Sequence, residues 1–278
     1  MQNTILNEIA ISGIGMHSGK EVILKLKPGI VNQGIIFKIL PQEYEIKATF
    51  NNVHSTNMST KLSNENCSID LVEHFMAALY GIGIDNLTAI IDSVELPILD
   101  GSAQCWIASI KEAGIRSQGV QRKSLNVLQS IEIIEDDKYV KVTPHSHLVI
   151  DLSIDFPHSA IGQQRLIFDS KKNSFEIEIG AARTFGFIKD LEYLHSKGLG
   201  LGASLQNCIG LDENGILNQG ELRFKDEFVR HKILDCLGDL FLSGYHMNCY
   251  IRAHKTGHQL NNMVLRKIFE NEANYSIS

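Results

Sequence analysis

The 278-residue sequence predicts an α+β fold built from two similar halves, residues 1–118 and 124–278. Three observations carry this. Strand-like stretches followed by a helix, a strand and a second helix occur twice in the same order. Val72-Glu73-His74 and Val229-Arg230-His231 fall at matching places in the two corresponding helices. His74 precedes Gly101 by 27 positions and His231 precedes Gly257 by 26, with Asp100-Gly101-Ser102 opposite Thr256-Gly257-His258. A lone Val-x-His pair is a weak signal; the shared order and spacing place the boundary near residues 116–123.

Taken in order, residues 21–27 and 34–40 alternate apolar and polar and read as strands. A helix is expected at about 70–80, stopped by Gly81. A strand at 87–93 and a helix at about 102–113, closed by Gly114, complete the first half. In the second half, strands are expected at 125–134, 139–142, 148–154 and 175–179. A helix follows within 225–244, then a strand at 248–252 and a last helix at about 258–270. Residues 13–19, GIGMHSG, form a glycine-rich turn, a hairpin or loop. They are not a dinucleotide fingerprint, because the spacing differs and no helix follows.

A hydrophobic content of 44% with 21% charged residues is that of a soluble globular protein. The formal net charge of −6 and the lack of a basic stripe argue against nucleic acid as a partner. Five cysteines, Cys67, Cys105, Cys208, Cys236 and Cys249, are an odd and widely spaced set without a C-x-x-C. They predict reduced thiols in a cytoplasmic protein, not a disulfide framework. The N-terminus shows no secretory signal, and no apolar run reaches the roughly eighteen residues of a membrane span. A monomer is favoured.

His231, Asp235 and Asp239 stand at i, i+4 and i+8 among Phe228, Val229, Ile233, Leu234, Leu237, Leu240 and Phe241. That spacing stacks three ionisable groups on one face of a helix apolar on most other sides. Either this is a solvated polar stripe, or the carboxylates are buried and need a partner or a metal. An imidazole and a carboxylate one turn apart can reach a single cation, and His74 of the matching helix suggests a third ligand. Two histidines and an aspartate leave a fourth position open, as in catalytic zinc sites. Glu73 beside His74 is either a general base or the partner of Asp70 in a capping box. His258 opens the last helix and is either a cap or surface group or a general acid held by Asp239. Lys232 either counters negative charge at the site or lies with its head in water. Thr184 can donate to an oxyanion or to a turn. Phe185, Phe187, Ile188, Leu199 and Leu201 either fill the core or line a path for an alkyl chain.

Six segments carry a resemblance: 72–79 (VEHFMAAL), 83–86 (GIDN), 97–102 (PILDGS), 182–187 (ARTFGF), 228–235 (FVRHKILD) and 257–261 (GHQLN). Together they resemble the UDP-3-O-acyl-N-acetylglucosamine deacetylases, zinc amidases of lipid A biosynthesis in Gram-negative bacteria, over about residues 9–269. The resemblance implies two β-α-α-β halves in a layered sandwich, with helices between two sheets and inserts near the active site. It implies one zinc ion per chain on His74, His231 and Asp235, with Glu73 as general base and His258 as general acid oriented by Asp239. Thr184 would stabilise the oxyanion, and Lys232 would help bind substrate. Phe185, Phe187, Ile188, Leu199 and Leu201 would contact the sugar and acyl chain. The first half would then supply one ligand and the base; the second would supply two ligands, the acid and the acyl-chain insert. The expected reaction removes the N-acetyl group of an acylated UDP-sugar, releasing acetate in the committed step of the pathway. Rival readings are a zinc hydrolase of another amide and a metal-free binding protein. The intact set Glu73, His74, His231, Asp235 and His258 counts against the second. One departure from the family pattern is Phe156-Pro157-His158-Ser159, where His-Pro is usual after the aromatic residue.

Overall fold

The computed structural model describes residues 1–278. Alternation along Glu21–Pro28 buries Val22, Leu24 and Leu26 and turns Ile23 outward, as a sheet with one covered face requires. This strand lies second in a five-stranded sheet ordered Ile9–Ile14, Glu21–Pro28, Leu87–Ile91, Ile35–Ile39, Tyr44–Lys47. Only the Leu87–Ile91 and Ile35–Ile39 pair is parallel. The larger sheet has seven strands, all after residue 123, around the long strand His246–His254. Lys138–Pro144 pairs with that strand antiparallel, whereas Ser124–Val127 and Val149–Phe156 pair with it parallel. Ile131–Glu135, Gly162–Asp169 and Tyr275–Ile277 extend the sheet outward.

Six helices complete the fold: α1 (Glu73–Ile82), α2 (Gln104–Ala113), α3 (Phe175–Glu178), α4 (Leu191–Ser196), α5 (Glu227–Phe241) and α6 (His258–Phe269). Helix α1 packs along α5, and this is the most extensive helix–helix contact. Phe75 of α1 packs between Phe37 of the smaller sheet and Trp106 of α2, with centroids 6.0 and 5.0 Å away. On the other side α5 lies against Val149–Phe156 and Gly162–Asp169, and α6 against Ile131–Glu135 and Lys138–Pro144. The helices therefore form an inner layer whose apolar faces belong to one continuous buried cluster drawing on both sheets. Helices α1 and α5 approach backbone to backbone at Gly238, where any Cβ would collide with the carbonyl of Glu73. No helix is long and apolar enough to cross a membrane.

The structure corrects several expected elements. Residues 175–179 form helix α3, not a strand. Phe175 and Ile179, one helical turn apart, are buried, while Ile177 between them is 73% exposed. The Ser174 hydroxyl caps this turn by accepting from the Ile177 amide. Helix α1 begins at Glu73 and runs through Gly81, whose missing Cβ makes room for the Phe175 ring. Gly83, in the left-handed region at φ 75°, ends it instead. Residues 125–134 divide into Ser124–Val127 and Ile131–Glu135, which do not pair with one another.

Candidate metal centre and its cavity

His231 and Asp235 sit one turn apart on α5, and His74 faces them from α1; all three are buried. Their ligand atoms lie within 4.8 Å of one another. Asp235 Oδ1 is 3.3 Å from His231 Nε2 and 3.5 Å from His74 Nε2. The two rings meet edge to face, with centroids 4.9 Å apart.

His231 Nδ1 lies 3.1 Å from the Ala182 carbonyl oxygen, which can only accept. That contact places the proton on Nδ1. Burial pushes the His231 pKa down to about 3, so the ring is neutral and its Nε2 carries a lone pair. This lone pair points at Asp235 Oδ1, a buried oxygen without a hydrogen-bond partner. Two electron-rich atoms facing each other in a dry site call for a cation between them. The other carboxylate oxygen accepts from Lys232 Nζ at 2.7 Å. Burial disfavours the Asp235 carboxylate, yet the positive charge of the Lys232 ammonium helps hold its pKa well below the usual range. Burial would likewise lower the Lys232 pKa, but Asp235 raises it, so the ammonium keeps its charge. Two imidazoles and an ionised carboxylate are the donor set a divalent metal of zinc type takes.

Glu73 is the first residue of α1, and the alternative capping box does not form. The N-cap position is Val72, without a side-chain cap. Asp70 accepts from the Ser59 hydroxyl and the Leu71 amide instead. Glu73 Oε2 accepts from the Thr60 amide at 3.0 Å, and Oε1 lies 3.9 Å from His258 Nε2. His258 Nδ1 is 2.8 Å from Asp239 Oδ2, which also accepts from Asn261 Nδ2 at 2.8 Å. The Thr60 hydroxyl donates to Asp239 Oδ1 at 2.6 Å. Burial raises the Glu73 pKa, against the pull of His258 and His74. Burial alone would lower His258, but Asp239, with Glu73 and Asp235 beyond, carries it up to about 10. The pair is thus a carboxylate with raised basicity facing a protonated imidazole.

Glu73, His74, His231, Lys232, Asp235 and His258 line a cavity of about 520 Å³. Thr184 lines it, its amide donating to Gly101 and its carbonyl accepting from Ile209. Upstream, the Arg183 guanidinium and amide donate to Glu227, a fully buried carboxylate at the start of α5, which fixes this segment against the helix of His231 and Asp235. Phe185 packs against Phe156, Phe228 and His231, with Lys232 Nζ 5.7 Å from its centroid. Phe187 and Ile188 continue the apolar wall. Leu199 and Leu201 do not line it. The chain turns through left-handed Gly198 and Gly200, Leu201 is 54% exposed, and its amide donates to the His17 carbonyl. Leu191 and Leu194 of α4 line the cavity in this region, with Leu205 and Cys208. Met16, His17, Leu71 and Ile98 also line it. In the unusual 156–159 segment, Phe156 lines the cavity and the His158 ring bonds the Asp212 carbonyl at 2.7 Å. Thr60, Asn261 and the α4 leucines escaped sequence reasoning. Only Leu191 and Leu194, at i and i+3, left a readable signal.

A family model described as UDP-3-O-acyl N-acetylglycosamine deacetylase matches residues 2–270. The chain is 43% identical over 276 residues to the UDP-3-O-acyl-N-acetylglucosamine deacetylase of Pasteurella multocida (strain Pm70), covering 98% of this chain and 90% of that protein. It is 44% identical over 276 residues to the protein of the same name from Histophilus somni (strain 129Pt), with the same coverage. For that of Geobacter sp. (strain M21) the identity is 40% over 278 residues, covering 99% of this chain and 91% of the relative.

Proposed function

The chain belongs to the UDP-3-O-acyl N-acetylglycosamine deacetylase family, and from this premise we propose that it hydrolyses the N-acetyl group of UDP-3-O-(3-hydroxyacyl)-N-acetylglucosamine. The products are acetate and the free amine, in the committed step of lipid A biosynthesis in the cytoplasm. The observation that carries this reading is the buried His74–His231–Asp235 cluster at the floor of the cavity, with Glu73 and His258 beside it.

A single zinc ion held by His74, His231 and Asp235 would supply Lewis acidity, activating water and polarising the amide carbonyl. Glu73, oriented by the Thr60 amide, accepts the proton of the attacking water. The Thr184 hydroxyl donates to the oxygen on which negative charge develops at the amide carbon. The carbon–nitrogen bond then breaks, and His258 gives its Nε2 proton to the departing nitrogen while Asp239 holds Nδ1. Lys232 keeps Asp235 ionised and offers its charge to the substrate. Phe185, Phe187 and Ile188, with Leu191 and Leu194, take the sugar and the first part of the acyl chain. Residues 1–118 thus contribute His74 and Glu73, and residues 124–278 the other two ligands, the acid and the acyl wall.

The deciding experiment follows acetate release from the acylated UDP-sugar by the purified protein, before chelation, after it, and after zinc is returned. Activity is expected to vanish and come back. Turnover that survives exhaustive chelation overturns the zinc assignment, and a zinc-loaded protein that releases no acetate overturns the substrate.

A further inference from the structure

Thr60 is a buried residue just before the strand Lys61–Ser63, outside the cavity wall. All three of its polar groups are engaged. Its carbonyl accepts from the amide of Val72, the residue that precedes α1. Its amide donates to Glu73 Oε2, and its hydroxyl donates to Asp239 Oδ1. One residue of the first half therefore grips both the carboxylate beside the metal cluster and the carboxylate that holds His258.

We propose that Thr60 is a positioning residue that fixes the base and the acid in one mutual geometry. Asp239 Oδ2 is occupied by His258 Nδ1 and Asn261 Nδ2, which leaves the orientation of the carboxylate plane to whatever holds Oδ1. The Thr60 hydroxyl is that group. With Oδ1 tethered, the His258 ring is held with Nε2 toward Glu73 at 3.9 Å. Without it, Oδ1 is a buried acceptor lacking a donor, a costly state that the carboxylate relieves by turning. The imidazole turns with it, and small misplacements of a proton donor cost rate steeply. The Thr60 amide survives substitution, so loss of the hydroxyl acts on the acid and spares the base.

The inference rests on the deacetylase reading with His258 as the acid. Its test compares Thr60→Val, which matches the shape without the hydroxyl, with Thr60→Ser, which keeps the hydroxyl, in the full zinc-loaded chain. Thr60→Val is expected to lower kcat roughly 10- to 100-fold, less than the roughly 10²- to 10⁴-fold of losing the general acid itself, because His258 is displaced and not removed. KM should change by less than about twofold, because Thr60 lines no part of the cavity. Thr60→Ser should restore most of the lost kcat. Independently of turnover, the ring ¹⁵N and Nδ1–H resonances of His258 should move or broaden in Thr60→Val and return in Thr60→Ser. Should Thr60→Val not fold, Thr60→Ala is read by the same measures. Wild-type kcat with unmoved His258 resonances in the hydroxyl-free variant overturns the proposal, as does a serine variant no better than valine. An inactive wild type would sink the deacetylase reading instead, and the resonances would still decide whether Thr60 holds His258.

Discussion

Glu73 Oε1 and His258 Nε2 face each other 3.9 Å apart, and single substitutions test their proposed roles separately. Glu73→Gln preserves an acceptor for the Thr60 amide and fills the same space, so the melting temperature and metal content should barely move. Loss of basicity should lower kcat by about 10²-fold or more. Near-normal turnover would reduce Glu73 to a structural anchor. For His258 the sign of the pH effect is fixed by its surroundings. Burial lowers its pKa, and the Asp239 carboxylate more than offsets this, so the ring is protonated at neutral pH and loses its proton only as pH rises toward about 10. Asp239→Asn removes the stabilising charge, and the alkaline limb of the pH–rate profile should shift to lower pH by about one unit or more. An unmoved limb would mean that another group sets it. At this scale the charged residues were legible. His74, His231 and Asp235 stood out as ligating side chains in an apolar setting, and the structure places them together. Thr60 and Asn261 were not legible. Neither sits in a pattern, and each matters only through contacts across long stretches of chain.

Helices α1 and α5 carry the candidate ligands, and their closeness depends on Gly238, since a Cβ there meets the Glu73 carbonyl. Gly238→Ala adds helix propensity and should still destabilise, by about 1–3 kcal/mol as for other overpacked sites. It should also weaken metal binding, because the helices separate where His74 faces His231. Thermal denaturation and zinc titration would check both, and an alanine variant with unchanged stability and affinity would show that the crossing is loose. The sequence could mark Gly238 only as a helix-interior glycine; its reason is tertiary. Helix α4 shows the reverse failure. The repeating Leu–Gly pattern at 199–202 suggests an acyl-chain wall in sequence, but left-handed Gly198 and Gly200 turn Leu199 and Leu201 away, and Leu194 of α4 lines the cavity instead. On the proposed function, each acyl methylene buried there contributes roughly 0.8 kcal/mol. Leu194→Ser should therefore flatten the dependence of kcat/KM on acyl length, while Leu201→Ser leaves it steep. Segment 175–179 is helical for a similar reason. Phe175, Ile177 and Ile179 fit period two in sequence, but only the pair one helical turn apart is buried.

Across the whole molecule, repetition made the α+β class and the two similar runs of elements readable, whereas the sheet order was not. The seven-stranded sheet is centred on His246–His254, near the end of the chain, and strand segments more than a hundred residues earlier flank it in register. Such pairing follows from long-range packing, which local alternation does not encode. The same long-range closure makes the metal cluster a joint between distant parts of the chain: His74 comes from α1, and His231 and Asp235 come from α5. A cation that needs all three binds the native state and not the unfolded chain. At free zinc about 100 times its dissociation constant it should add about 2.7 kcal/mol to stability, roughly 5 °C or more in melting temperature. Without the cation, the buried Asp235 Oδ1 of α5 has no partner and its link to His74 Nε2 of α1, 3.5 Å away, is lost, which favours loosening of the α1–α5 contact. Hydrogen exchange after chelation should accordingly rise at the start of α1 and the middle of α5 more than in the five-stranded sheet. His74→Ala should have lost most of the zinc-dependent gain in melting temperature while remaining folded. If the metal shifts His74→Ala and wild type equally, the ion is held by α5 alone, and the joint between the two helices is packing without coordination.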